Sequence, residues 1–143
     1  TVAKRAAELG VVACAEQMEK TPTKHIFCTA ADVNRLRAAL AAEQVAIDYA
    51  LDLAHIHTWG IAVTDFLRDA GLPGHVHCSD ASSRKTHEAA IGEGDTDVAA
   101  GIAALVRAGY PHAIAVEGVA RGRARAVAAS NLRIIDAALA AAG

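Results

Sequence analysis

HVHCSDASSRKTHEAAIGEGDTDVAAGIAALVRAGYPHAIAVEG, residues 75–118, decides the fold. Its opening residues 75–80 read as a strand that runs into polar chemistry around His77. A loop containing Ser and Gly fills 81–94. Thr96-Asp97 then opens a helix that carries Ile102, Leu105 and Val106 and stops at Gly109. A small polar residue at the start and a glycine just past the end are the signals that bound a helix. AIAVEG (113–118) is a further apolar run, and it ends in a carboxylate, Glu117. Two short, nearly continuous apolar strands joined by a helix imply parallel neighbours buried on both faces.

The same unit repeats towards the N-terminus. A short helix over 1–9 ends at Gly10, and VVACAEQ (11–17) is a β-branched run closing on Glu16. Residues 18–28 are polar and irregular, with Pro22 among them. A helix capped at or near Thr29 follows, with Ala30, Val33, Leu36, Ala39 and Leu40 along one face, the spacing of a half-buried helix. VAIDYALDLAHIH (45–57) holds the next strand and ends in Asp52, His55 and His57. Helical spacing covers 61–70 up to Gly71, and the last helix runs over about 121–141. The whole chain therefore reads as one α/β domain over 1–143, with four parallel strands in α-βα-βα-βα-βα order.

Composition agrees. A chain of 143 residues suits one domain. Hydrophobic residues make up 53% and charged residues 21%, a globular balance. Aromatics are only 3%, so Ala, Val, Ile and Leu must build the core. Close packing of Ala-rich helices on a sheet fits this better than an all-β sandwich. A net charge of -2 gives no footprint for nucleic acid. No apolar run reaches the roughly 18–20 residues a membrane span needs, and the charged start TVAKRAAELG does not read as a signal peptide. Cys14, Cys28 and Cys78 are odd in number and lack framework spacing, which suits a reducing cytoplasm.

Parallel strands deliver their C-terminal ends to one edge of a sheet, and in a barrel that edge is the active face. Here four successive strands end in Glu16, Asp52, His77 and Glu117. One acid at a strand end is usually a solvated loop residue or a helix cap, but four successive strand ends of this kind form a pattern. Three carboxylates and an imidazole make a mostly hard-oxygen donor set, suited to Mn²⁺ or Mg²⁺, with Co²⁺ and Zn²⁺ within its range. Without a cation the carboxylates would repel one another strongly. His75 has the same strand parity as His77 and is placed to support it.

These residues carry a family resemblance. ALDLAHIH (50–57) resembles the Leu-Asp-Thr-Gly-His strand end of the xylose-isomerase-like barrel superfamily. Residues 75–118 resemble its His-x-His-x-x-Asp stretch, a loop, Gly-Glu-Gly-x-x-Asp, a helix, Gly-Tyr and a strand ending in Glu. AELGVVACAEQM (7–18) resembles the fifth-strand segment that ends in Glu-Asn. The group contains sugar epimerases and isomerases, dehydratases and endonuclease IV-type enzymes. The resemblance implies a parallel (βα)4 half of a TIM (β/α)8 barrel, equivalent to strands 5–8. It implies that Glu16, Asp52, His77 and Glu117 bind a divalent metal ion. It implies a small-molecule sugar or polyol substrate contacted by His55, Arg84 and His87. The family's epimerases and isomerases abstract a proton beside a carbonyl, and the resemblance implies the same reaction here, through a metal-stabilised enediolate. Glu16 and Glu117, on the first and last strands of this half, are the candidate base and acid.

Three departures bear on this. Gln17 stands where Asn is common, Leu53-Ala54 replaces the usual Thr-Gly, and Lys85 stands where nuclease-like members carry an Asp. The last departure and the charge balance argue against a nuclease. A full barrel of this kind has about 250 residues, and four strands alone cannot close one. Either the chain is a truncated piece of a longer barrel, or it pairs with a second half, as a homodimer or with a complementary half-barrel. Two other readings stay open: a metal-dependent dehydratase of a cyclic polyol or keto acid, and a catalytically inactive half-barrel that binds metal or serves assembly.

Overall fold

The computed structural model describes residues 2–23, 26–82, 85–118 and 122–143, with the backbone alone at 85–88. In chain order the elements are α1 (Val2–Glu8), β1 (Cys14–Glu16), α2 (Ala30–Ala42), β2 (Asp48–Asp52), α3 (Leu53–Trp59) and α4 (Val63–Ala70). They continue with β3 (His75–Cys78), β4 (Asp80–Ser82), β5 (Lys85–Ala89), α5 (Val98–Arg107), β6 (Ile114–Val116) and α6 (Ala124–Ala142). Four strands form one parallel sheet in the order β1-β2-β3-β6. The α/β class and the parallel order agree with the sequence reading.

Register divides the sheet into two faces, because partners in a parallel ladder point the same way. Glu16 aligns with Ala50, Ala50 with His75, Asp52 with His77, and His77 with Ala115. The opposite face carries Tyr49, Leu51, Val76 and Cys78, all buried. These pack with Phe66 of α4 and with Ile102 and Leu105 of α5 in one core. Each such side chain contributes about 1.5–3 kcal/mol when fully buried. Helices α2, α4, α5 and α6 contact one another in sequence. The outer edges of β1 and β6 have no partner strand among the described residues.

Local sequence explains the boundaries. Thr29 caps α2 in a reciprocal capping box with Asp32, which satisfies amides the first turn would leave open. Two segments depart from expectation. The strand expected to run on towards His57 stops at Asp52, and α3 begins at once. The cause is Asp52 itself: its carboxylate accepts from the His55 amide at 2.9 Å and acts as a helix N-cap. Gly60, at φ 66, ends the helix. His55 and His57 therefore lie on a helix and not at a strand end.

The second departure is the expected loop over 81–94, which contains an antiparallel hairpin of β4 and β5. The chain beyond it folds around Asp80. Its Oδ1 accepts from the amides of Ala81 at 2.8 Å and Thr96 at 3.0 Å. Its Oδ2 accepts from Gly92 at 2.8 Å and Gly94 at 3.0 Å. A Cβ at position 94 would collide with this carboxylate, so the Gly-Glu-Gly segment is the shape of a loop closed on a buried acid.

Candidate metal centre

The four strand ends meet. Glu16 ends β1, Asp52 ends β2, His77 lies in β3, and Glu117 follows β6. Each offers one ligand atom, and these atoms all lie within 4.8 Å of one another. His77 Nδ1 is 2.7 Å from Glu16 Oε1 and 2.9 Å from Glu117 Oε2. Asp52 is fully buried, whereas the side chains of Glu16, His77 and Glu117 are 34%, 25% and 47% exposed. The cluster thus has a buried floor and an open rim.

The electrostatics are one-sided. Among the described residues, no lysine or arginine pairs with these three carboxylates, and His77 is the basic group between two of them. Carboxylates this close repel one another unless a cation is shared among them. The donor set fits such an ion: carboxylate oxygens and an imidazole nitrogen suit Mn²⁺, Mg²⁺, Co²⁺ or Zn²⁺.

Neutral donors surround Asp52. Ser79 Oγ lies 2.6 Å from Asp52 Oδ1 and 2.8 Å from Oδ2. The buried amide of Gln17 donates from Nε2 to the Asp52 carbonyl at 3.0 Å. The sequence reading singled out neither contact. Strand parity was the available signal for Ser79, two residues beyond His77 and on the same face. His75 stands in edge contact with His77, ring centroids 4.9 Å apart. Burial, with Asp52 and Asp80 nearby, pushes the Cys78 thiol up to about 12.

Of the three expected substrate contacts, the described side chains include His55 alone. His55 is buried on the first turn of α3. Its Nδ1 is 2.6 Å from the Gln17 carbonyl, and its Nε2 is 3.4 Å from Glu19 Oε2. In this arrangement the ring joins the loop after β1 to α3. Trp59 and Thr58 extend that junction: Trp59 Nε1 donates to the Met18 carbonyl at 3.0 Å, and the Lys20 amide donates to Thr58 Oγ1 at 2.9 Å. Arg84 lies outside the described residues. His87 has its backbone in β5, and its side chain lies outside them too.

A family model described as xylose isomerase-like TIM barrel matches residues 1–138. Among solved structures, the chain is similar to L-ribulose 3-epimerase, with TM-score 0.80 and 22% identity over 99% of this chain and 51% of that one. It is similar to 3-keto-D-glucoside 4-epimerase from E. coli, with TM-score 0.72 and 23% identity over 95% of this chain and 49% of that one. It is also similar to D-psicose 3-epimerase from Clostridium cellulolyticum H10, with TM-score 0.67 and 21% identity over 99% of this chain and 50% of that one. The chain thus spans about half the length of these structures. No curated protein matches it. Among the described residues, no helix is long and apolar enough to cross a membrane.

Proposed function

The chain belongs to the xylose isomerase-like TIM barrel family, and from that premise we propose that it is the metal-binding half of a sugar isomerase or epimerase. The observation that carries this is the convergence of Glu16, Asp52, His77 and Glu117 within 4.8 Å. These four residues would hold the divalent cation. A cation there supplies polarisation of a sugar carbonyl and its adjacent hydroxyl, which makes the neighbouring C–H acidic.

The chain's own groups do the proton work. Glu16 and Glu117 come from the two edge strands of the sheet and flank His77. A substrate carbon between them is open to one carboxylate on each side. One takes the proton and the other returns a proton to the same carbon from the opposite side, which inverts the centre; return to the former carbonyl carbon, with the adjacent hydroxyl proton passing to the former carbonyl oxygen, would instead move the carbonyl to its neighbour. Both are partly exposed, so their free oxygens can meet a substrate. Asp52 is capped by the His55 amide and the Ser79 hydroxyl, and it serves as a fixed ligand only.

The substrate class follows from similar structures described as acting on ribulose, a keto-glucoside and psicose: a ketose or keto-sugar. A second (βα)4 unit would complete the barrel, supplied by a further segment of a longer chain, by another copy of this one or by a complementary half. The edges of β1 and β6, without a partner strand among the described residues, support this. Exposed aliphatic side chains beside them, Val11 and Val12 before β1 and Val116 in β6, support it too.

Native mass spectrometry with Mn²⁺ present, followed by an epimerisation assay on a ketose panel, tests this reading. The expected result is bound metal that is lost in Asp52→Asn and His77→Ala, with turnover that follows the metal. A chain that stays metal-free under metal-replete conditions overturns it.

A further inference from the structure

We propose that Ser79 is a positioning residue for Asp52, holding the carboxylate in the orientation that lets the candidate centre bind a divalent cation. This rests on the reading of that centre given above.

The geometry is specific. Ser79 follows β3 directly and is fully buried. Its single hydroxyl proton faces both oxygens of Asp52, at 2.6 and 2.8 Å. The His55 amide reaches Oδ1 alone, at 2.9 Å. A carboxylate gripped by one oxygen can still swivel about its Cβ–Cγ bond, and a second donor placed between the two oxygens opposes that rotation. The β2–β3 ladder sets Asp52 opposite His77. The stretch 77–79 therefore delivers a candidate ligand and, two residues on, the group that aims another.

The chemistry of the donor matters as much as its place. A buried carboxylate needs hydrogen bonds, because water cannot reach it. A lysine or arginine would satisfy it and cancel its charge. A serine hydroxyl satisfies it and leaves the full negative charge for a metal ion. Outer groups of this kind fix ligand orientation in metal sites generally. Asp52 is also the one fully buried member of the four, so solvent cannot substitute for the lost donor.

The test is Mn²⁺ titration by calorimetry, with the Co²⁺ visible spectrum as a second readout, on the wild-type chain, Ser79→Ala and Ser79→Thr. Ser79→Ala is expected to bind Mn²⁺ about 10–100-fold more weakly and to shift the Co²⁺ band, with far-UV circular dichroism unchanged. Ser79→Thr keeps the donor and is expected to restore affinity and band position. The proposal is overturned if Ser79→Ala matches wild type in both readouts, or if Ser79→Thr loses as much as Ser79→Ala. In either case the reading of the metal centre stands, because wild type still binds. A wild-type chain that binds neither ion overturns both.

Discussion

Asp48 and Asp52 stand at opposite ends of β2 and meet different partners. Asp48, at the strand start, pairs with the Arg37 guanidinium at 2.5 Å. Arg37 also donates to the carbonyls of Ala70 and Leu72, so this end ties α2 to the end of α4. Asp52, at the strand end, meets a hydroxyl and an amide and faces two further acids across His77. One strand thus carries an acid whose charge is matched within the protein and another whose charge is not. A fold gains nothing from gathering unmatched carboxylates, and a cation site requires it. The same division holds for barrels in general, where the strand starts serve stability and the strand ends serve chemistry.

The largest expected effect lies at the strand-end rim but outside the cluster. Asp80 is buried and accepts from four backbone amides. Asp80→Ala strands those donors, and at about 1.5–3 kcal/mol for each hydrogen bond to a charged group, partly recovered by water, the net loss should be about 3–5 kcal/mol. Urea unfolding measures it. A loss below about 1 kcal/mol would mean that the loop around Gly92 and Gly94 is held by other contacts. Here an acid at the functional rim serves structure, so position alone does not define the division; convergence with other acids does.

Next in size is the effect of metal on stability. A ligand that binds only the folded state at one hundred times its dissociation constant stabilises by about 2.7 kcal/mol. Wild type in Mn²⁺ should gain about this much in denaturant unfolding. Asp52→Asn should abolish the gain, and Asp48→Asn should keep it. Loss of the gain in both variants would erase the distinction between the two ends.

Much of this was legible in the sequence. Strand order, parallel pairing and the four strand-end residues follow from short apolar runs, each closing on a group that can ionise or ligate. Helix α3 was hidden because Asp52 serves two purposes, strand end and N-cap, and the run to His57 reads as one polar-ended strand. The hairpin of β4 and β5 was hidden because Ser and Gly signal a loop, and the loop beyond it is shaped by a buried acid twelve residues before Gly92. Long-range contacts of this kind leave no periodic trace. The partners of His55 were hidden in the same way: the resemblance implied a contact to substrate, and nothing in the sequence pointed to the Gln17 carbonyl and Glu19 that its ring meets.

The smallest expected effect concerns the pair at the strand start. The Arg37 and Asp48 side chains are 34% and 32% exposed, so solvent screens them, and their coupling should be about 0.5–1 kcal/mol in a double-mutant cycle. Arg37→Ala alone should cost more than the coupling, because it also removes donors from Ala70 and Leu72 and uncovers the Tyr49 ring, 5.0 Å from the guanidinium carbon. Salt separates the two ends of β2 further. At about 1 M ionic strength the Debye length falls to about 3 Å, so the Arg37–Asp48 coupling should shrink. The repulsion among Glu16, Asp52 and Glu117 should shrink as well, which favours the metal-free fold. Added salt should therefore weaken one end and relieve the other. The cycle at low and high salt, with Asp52→Asn as the reference for the strand-end acids, should give coupling changes of opposite sign. Changes of the same sign would mean that the strand-end carboxylates are already neutralised within the protein, which would remove the electrostatic case for a cation there.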